Sequence, residues 1–372
     1  MSEKIITIER LAYGGEGVGR CEGKVVFVPW TAPGDEVRIR VVADHGRFER
    51  GEVIETLKPS ADRTHPLCPY FGKCGGCQWQ HLSYKSQVRF KEEILKETLI
   101  RVGGLFYPPV LPMIVAQNPW HYRSRIQLKK NAQGEVGYFA SHSHQLVPIV
   151  ECLIADHRLN EKLPEVQSRG DLESNIELSL NNSRVDIQSM TEDSGFFSQV
   201  NPEQNQKMIE TVLHFVFGRA EKVFKQKKTI VELFAGSGNF TFPLAEHGGS
   251  IVAVESHKKS VELGLNKIQE EGIQNIEWIC GTAEWGLKKI HRRKIAIDTL
   301  VIDPPRRGAA DILDLICVMS PRSLIYVSCD PVTLSRDLKL LLKRHYRLEK
   351  VQPIDMFPQT YHIESVAHLI KT

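Results

Sequence analysis

The feature that most constrains this chain is the alternation of apolar, strand-like runs with helical stretches across residues 196–372. Runs at 228–234, 250–254, 276–280, 299–303 and 323–327 are rich in branched residues, with helix-length segments between most of them. Two more runs, at 347–354 and 366–370, close the series. Strands connected in this way are covered on both faces, which predicts a doubly wound, mostly parallel sheet. Sheets of that kind place ligands beyond the carboxyl ends of their strands. Chemistry is therefore expected in the residues that end each run.

The run at 323–327 leads into Ser328-Cys329-Asp330-Pro331. Asp330 suits a helix N-cap and Pro331 the first helical position, opening a helix over 332–342. Cys329 should thus sit at a strand end beside a helix N-terminus, where the dipole is expected to lower its pKa and favour a nucleophilic thiolate. An isolated cysteine is more often a small buried hydrophobe; the neighbours of Cys329 argue against that here. The first run feeds Ala235-Gly236-Ser237-Gly238-Asn239, and the second ends at Glu255, where a carboxylate can bind ribose hydroxyls. A strand, a glycine loop and a helix fit NAD, FAD and S-adenosylmethionine (SAM) alike. No fingerprint of three spaced pyrophosphate-binding glycines appears, which favours SAM. The fourth run ends in Asp303-Pro304-Pro305-Arg306-Arg307-Gly308. Nucleic-acid amino-methyltransferases follow such a Pro-Pro with an aromatic residue. Arg306 in that place disfavours amine methylation and leaves a use for Cys329.

Ahead of the alternating region, residues 1–57 read as a small β-barrel, with β-type runs at 5–8, 24–28, 36–42 and 50–54 separated by glycine-rich turns. Residues 58–195 read as a mixed α/β central domain, with an amphipathic helix over 85–101 and β-type segments at 124–129, 136–139, 176–180 and 185–188. The stretch Trp120-His121-Tyr122-Arg123-Ser124-Arg125 suits an RNA-facing surface and half-buried packing equally well. Eight cysteines are few for a secreted disulfide scaffold of 372 residues, but Cys68, Cys74 and Cys77 fall close together. Three thiolates in a glycine-bent loop suit a metal centre, with Cys152 the natural fourth ligand and His81 or His65 substitutes in a zinc site. Zinc and an iron–sulfur cluster both accept four thiolates, so chemistry alone leaves the choice open. A net charge of +3 neither demands nor excludes a nucleic-acid partner, and no apolar segment reaches membrane-spanning length. A monomer in the cytoplasm is expected.

The motifs converge on one family. Leu11-Ala12-Tyr13-Gly14-Gly15-Glu16-Gly17-Val18-Gly19 resembles a TRAM domain, a module attached to RNA-modifying enzymes. Gly236-Ser237-Gly238-Asn239-Phe240, Asp303 to Gly308, Val327 to Asp337 and His362-Ile363-Glu364-Ser365-Val366 together resemble the SAM-dependent RNA uridine-5-methyltransferases. The likeness covers nearly the whole chain. The TRAM-like start and the four cysteines point to the branch acting on 23S ribosomal RNA, although some relatives with the same cysteines act on transfer RNA. That resemblance implies a four-iron, four-sulfur (4Fe-4S) cluster on Cys68, Cys74, Cys77 and Cys152. It implies SAM binding by Gln199, Phe234, Asn239, Glu255 and Asp303, with Phe197 stacking on the target base. Gly236 of the glycine loop and Thr282 are taken as further cofactor-binding residues, and Arg306 as a substrate-binding candidate, although Arg306 and Arg336 suit phosphates and carboxylate partners equally. Thr282 departs from the Asp or Asn usual at its position, which should cost little affinity.

The implied chemistry is physically coherent. Carbon 5 of uracil is a poor nucleophile until a thiolate adds at carbon 6, so Cys329 would activate it by covalent catalysis. Glu364 would then remove the carbon-5 proton. Two rivals differ in kind: a cytosine-5 methyltransferase, which would need a Pro-Cys pair where Ser328 stands, and a silent RNA-binding module with a structural metal.

Overall fold

The computed structural model describes residues 2–181, 184–190, 199–218 and 228–372. Its first five strands are β1 (Glu3–Leu11), β2 (Gly17–Cys21), β3 (Lys24–Val28), β4 (Glu36–Asp44) and β5 (Phe48–Lys58). They close into a barrel of order β1-β2-β3-β5-β4. Alternation along the strands turns Ile6, Ile8, Val26, Val28, Val37 and Ile39 into its core. Strand β2 escapes a reading of the sequence because glycine is poor strand material. Its glycines answer a local need for close approach. A Cβ at Gly17 would meet Thr31 Oγ1 at 2.0 Å, and one at Gly19 the Thr7 carbonyl oxygen at 2.5 Å.

Helix α1 (Tyr84–Arg101) starts at Ser83, whose hydroxyl accepts from the Ser86 amide. Beyond it, β6 (Arg125–Lys130), β7 (Val136–Phe139), β8 (Leu146–Pro148), β9 (Asn175–Asn181) and β10 (Arg184–Ser189) form an antiparallel sheet of order β10-β9-β6-β7-β8. Short helices α2 (His157–Asn160) and α3 (Leu163–Ser168) lend Leu159, Leu163 and Val166 to its core.

The C-terminal region opens with α4 (Pro202–Phe217), then β11 (Thr229–Leu233), α5 (Thr241–Glu246), β12 (Ser250–Glu255), α6 (Lys258–Glu271) and β13 (Ile276–Cys280). It continues through α7 (Ala283–Arg292), β14 (Thr299–Ile302), α8 (Leu313–Met319), β15 (Ser323–Ser328), α9 (Pro331–Leu342), β16 (Tyr346–Ile354) and β17 (Glu364–Lys371). The sheet order is β13-β12-β11-β14-β15-β17-β16. Six strands point the same way, and β17 alone runs antiparallel, between β15 and β16. Strand order reverses between β11 and β14, and that reversal opens the ligand crevice. The three parts share buried surface. Leu95 and Leu99 of α1 lie in the C-terminal core, and Leu11 and Ala32 of the barrel pack with Trp79, Phe90 and Ile363. Among the described residues no helix is long and apolar enough to cross a membrane.

Candidate active site and cysteine cavity

At the carboxyl ends of β11, β12 and β14 the chain builds a cradle. After β11 the backbone turns at Phe234, with φ +62°, into the glycine loop. Gly238 has φ +104°, and a Cβ there would stand 2.4 Å from the Phe242 ring, so only glycine fits. The Gly236 amide donates to Glu255 Oε2 at 3.0 Å, which ties the carboxylate ending β12 to the loop. Asn239 exchanges two hydrogen bonds with Asn205 of α4, at 2.9 and 3.0 Å. Thr282 spends its hydroxyl capping α7, accepting from the Trp285 amide at 3.2 Å. Burial pushes the carboxyl of Asp303, just past β14, up to about 7. It pushes Glu232, which accepts from the Thr241 hydroxyl at 2.6 Å, up to about 8. Three carboxyl groups around one glycine loop, two of them held partly protonated by burial, would ionise in favour of a cationic ligand and oppose a pyrophosphate. A sulfonium-bearing adenosine cofactor fits that field. Gln199 sits half-buried before α4; Phe197 lies outside the described residues.

The next two strands bring Cys329 and Glu364 together. Ser328 of β15 is paired with Ser365 of β17, so the following rung sets Cys329 beside Glu364. Asp330 caps α9, accepting from the Val332 and Thr333 amides at 2.8 and 2.9 Å. The expected lowering of the thiol pKa does not occur. Burial, with Glu364 and Asp303 close by, pushes the Cys329 thiol up to about 12, and the Arg306 guanidinium only partly offsets this. The helix amides that were to lower it are already satisfied by the Asp330 carboxylate. Glu364 is buried at 6% exposure and is no edge carboxylate, since β16 forms the edge. Burial and Asp303 push it up to about 8, again against Arg306. At neutral pH the pair therefore holds protons that can be exchanged, in a water-poor pocket.

The four clustered cysteines surround a separate space. Cys68, Cys74, Cys77 and Cys152 all line one cavity of about 390 Å³, together with Gln80, Arg123 and Tyr138. Burial pushes Cys74 up to about 11 and Cys77 up to about 12. The Gly76 amide donates to Cys74 Sγ at 3.4 Å, and the side chain of Gln80 faces Cys68 and Cys77. Arg123 Nε, buried at the wall, has no hydrogen-bond partner among the described residues. Among the described residues no three His, Cys, Asp or Glu side chains converge closely enough to hold a single metal ion. His81 does not line this cavity, and its Nε2 lies 3.1 Å from the Thr31 carbonyl oxygen in the barrel contact. Tyr122 and Arg123 face inward, the Tyr122 hydroxyl donating to the Pro358 carbonyl at 3.0 Å. For these two residues packing prevails over an RNA-facing role.

Sequence reasoning missed residues that reach the site from a distance. The Tyr13 hydroxyl, in the barrel, donates to the Cys329 carbonyl at 3.3 Å, and its ring meets Tyr361 edge-on at 5.6 Å. Buried Asp337 accepts from the Ala309 amide and the Tyr326 hydroxyl, both at 2.7 Å, and so steadies the loop after Asp303-Pro304-Pro305. Arg336 serves the same loop, donating to Asp337 at 2.9 Å and to the Arg307 carbonyl at 2.8 Å. The sequence carried signals for these residues, the glycine-rich turn around Tyr13 and the stretch Val327 to Asp337, but not for the contacts they make.

A family model described as tRNA (uracil-5-)-methyltransferase matches residues 171–372, and a TRAM domain model matches residues 2–54. A Bdellovibrio bacteriovorus protein named as an uncharacterized RNA methyltransferase is 36% identical, over 98% of this chain and 94% of its own. The Vibrio cholerae 23S rRNA (uracil(1939)-C(5))-methyltransferase is 29% identical, over 98% and 95%. The solved Pyrococcus abyssi tRNA (uracil-54, C5)-methyltransferase, in complex with S-adenosyl-L-homocysteine, superposes with a TM-score of 0.71 at 20% identity. That superposition covers 98% of this chain and 100% of the other, and it establishes a shared fold.

Proposed function

Because the chain belongs to the tRNA (uracil-5-)-methyltransferase family and carries a TRAM domain, we propose that it methylates carbon 5 of a uridine in 23S ribosomal RNA through a covalent bond to Cys329. It is a SAM-dependent RNA uracil-5-methyltransferase. The single observation that carries the finer reading is the rung that sets Cys329 beside Glu364, next to Asp303 and Arg306. The ribosomal target is supported by the likeness to the Vibrio cholerae enzyme across almost the whole chain. Transfer RNA is the second reading, favoured by the fold shared with the Pyrococcus abyssi enzyme.

In this reading Cys329 releases its proton to solvent as uracil enters, and its sulfur bonds to carbon 6, which makes carbon 5 enolate-like. SAM, when bound, supplies the electrophilic methyl group. Arg306 favours the anionic forms of Cys329 and Glu364. Glu364, as carboxylate, then takes the carbon-5 proton, and the carbon–sulfur bond breaks to return the thiolate. Gln199, Phe234, Gly236, Asn239, Glu255, Thr282 and Asp303 hold the cofactor, and Phe197 stacks on the base. The target uridine leaves its stack to reach this pocket.

The cysteine cavity is read as the seat of a 4Fe-4S cluster on Cys68, Cys74, Cys77 and Cys152. Four thiols ringing a cavity suit a polynuclear centre better than one ion, and buried thiols become thiolates only against such positive charge. Arg123 and the Gly76 amide would offset the sulfurs' negative charge. Residues 1–57 would receive RNA, 58–195 hold the cluster and 196–372 carry the chemistry.

The test incubates anaerobically purified protein with methyl-labelled SAM and RNA from a host lacking 5-methyluridine, then identifies the labelled nucleoside. Label in 5-methyluridine within the large ribosomal RNA is expected. Label in transfer RNA would change the substrate, and label in 5-methylcytidine would overturn the base assignment.

A further inference from the structure

The chemistry of Cys329 and Glu364 leaves one buried ionic pair nearby without a use. Lys91 of α1 and Asp355, the residue after β16, have fully buried side chains, and Lys91 Nζ lies 2.7 Å from Asp355 Oδ1. The ammonium also donates to the Phe357 carbonyl at 2.9 Å. One helical turn earlier, Gln87 donates to Gln359 Oε1 and accepts from the Gln359 amide, both at 2.9 Å. Desolvating two charges costs more than an average pair returns, and apolar side chains of similar volume would stabilise the fold at least as well. The pair's location offers a better reason for it. Ile354 is paired with Glu364 across β16 and β17, so Asp355 directly follows the rung that carries the base. The connection 355–363 contains no helix or strand of its own. Ile363 packs apolarly against Phe90 and Ile94 of α1, but the directional part of the hold is polar, through Asp355, Phe357 and Gln359. Apolar contacts alone would let that connection slide; a buried ammonium with two fixed acceptors does not.

We propose that Lys91 is a positioning residue for Glu364, fixing the 355–363 connection through Asp355 and the Phe357 carbonyl so that the carboxylate meets the carbon-5 proton. This rests on the reading of Cys329 as nucleophile and Glu364 as base. Proton removal follows methyl transfer and precedes release of the carbon–sulfur bond. A displaced base therefore leaves methylated RNA attached to Cys329, whereas a general loss of structure slows every step and accumulates nothing.

The experiment quenches reactions of methyl-labelled SAM and substrate RNA in denaturant and measures labelled protein–RNA adduct. Lys91→Met alone would strand the Asp355 charge in the core, so the main variant is Lys91→Met with Asp355→Asn, which removes both charges at nearly constant volume. Lys91→Arg, which keeps the charge but changes its reach, is measured beside it. Turnover of the double variant should fall roughly 10- to 100-fold, the cost of a displacement of about an ångström. Its KM for RNA should hold, and labelled adduct should accumulate as it does in Glu364→Gln. Lys91→Arg should show the same signature at smaller amplitude. If Glu364→Gln accumulates adduct while the double variant turns over normally, or slows without adduct, the positioning role is refuted. Should the double variant fail to fold, Lys91→Arg decides alone by the same criterion. If Glu364→Gln itself accumulates none, the assignment of the base falls first, and the role of Lys91 falls with it.

Discussion

Cys329 and Cys77 carry similarly raised thiol pKa values amid opposite neighbours, Cys77 being the more deeply buried. Cys329 and Cys77 are both pushed up to about 12 by desolvation. Around Cys329 stand Glu364, Asp303 and Asp330, which can pass protons, with Arg306 as the opposing charge. Around Cys77 stand other thiols, Arg123 and the side chain of Gln80. A thiol among carboxylates can lose a proton, bond to carbon and be released. Thiols among thiols and donors lose their protons only to a permanent positive centre. Burial sets how costly the thiolate is; the neighbours decide what that cost is spent on.

The comparison is broken most sharply by exchanging which thiol is lost. Cys329→Ala should lower methylation by roughly 10⁴-fold or more while leaving SAM binding and the iron and colour of the proposed cluster intact. Cys77→Ser should strip iron and colour while Cys329 remains present. Loss of colour in Cys329→Ala would mean that the two thiol environments are not separate.

The acid–base half is sharpened by pH. Glu364 must be ionised to act as a base after methyl transfer, so kcat should rise with pH through about 8. Arg306 lowers the pKa of both Glu364 and Cys329, so Arg306→Gln should move that limb to higher pH. A limb that stays in place would remove Arg306 from the site's electrostatics.

The smallest effect is on stability. The carboxyl of Glu364 is raised from 4.5 to about 8 on folding, so the folded state binds the extra proton between those values. Stability from this group is therefore present below about 4.5 and is lost as pH rises through about 8. Glu364→Gln should raise the thermal midpoint by a few degrees above pH 8, and the difference should vanish near pH 4.5. A gap that stayed constant with pH would show that burial of the charge is not its source.

Much of this was legible in the chain. Strand ends carry their chemistry in sequence order, so Gly236, Glu255, Asp303 and Cys329 were visible as the last residues of apolar runs or their neighbours. The cysteine spacing was visible because three of the four donors are local. The strand β2 was not, since its glycines serve the crowding of a closed wall that only the barrel creates. The pKa of Cys329 was misjudged because the helix dipole is a local quantity, while the opposing carboxylate of Glu364 arrives from β17, beyond a long connection.

By itself the sequence determined the sheet, the glycine cradle, the thiol set and the order of the parts, because periodicity, capping and short-range spacing are properties of neighbouring residues. Only the tertiary structure decided that Cys329 and Glu364 share a rung, that Tyr13 of the barrel reaches the Cys329 carbonyl, and that Lys91 grips Asp355. Those pairings join residues from 35 to 316 positions apart, and no local pattern encodes which side chains close such distances. They exist because antiparallel insertion of β17 and the docking of α1 bury polar groups that must then find partners.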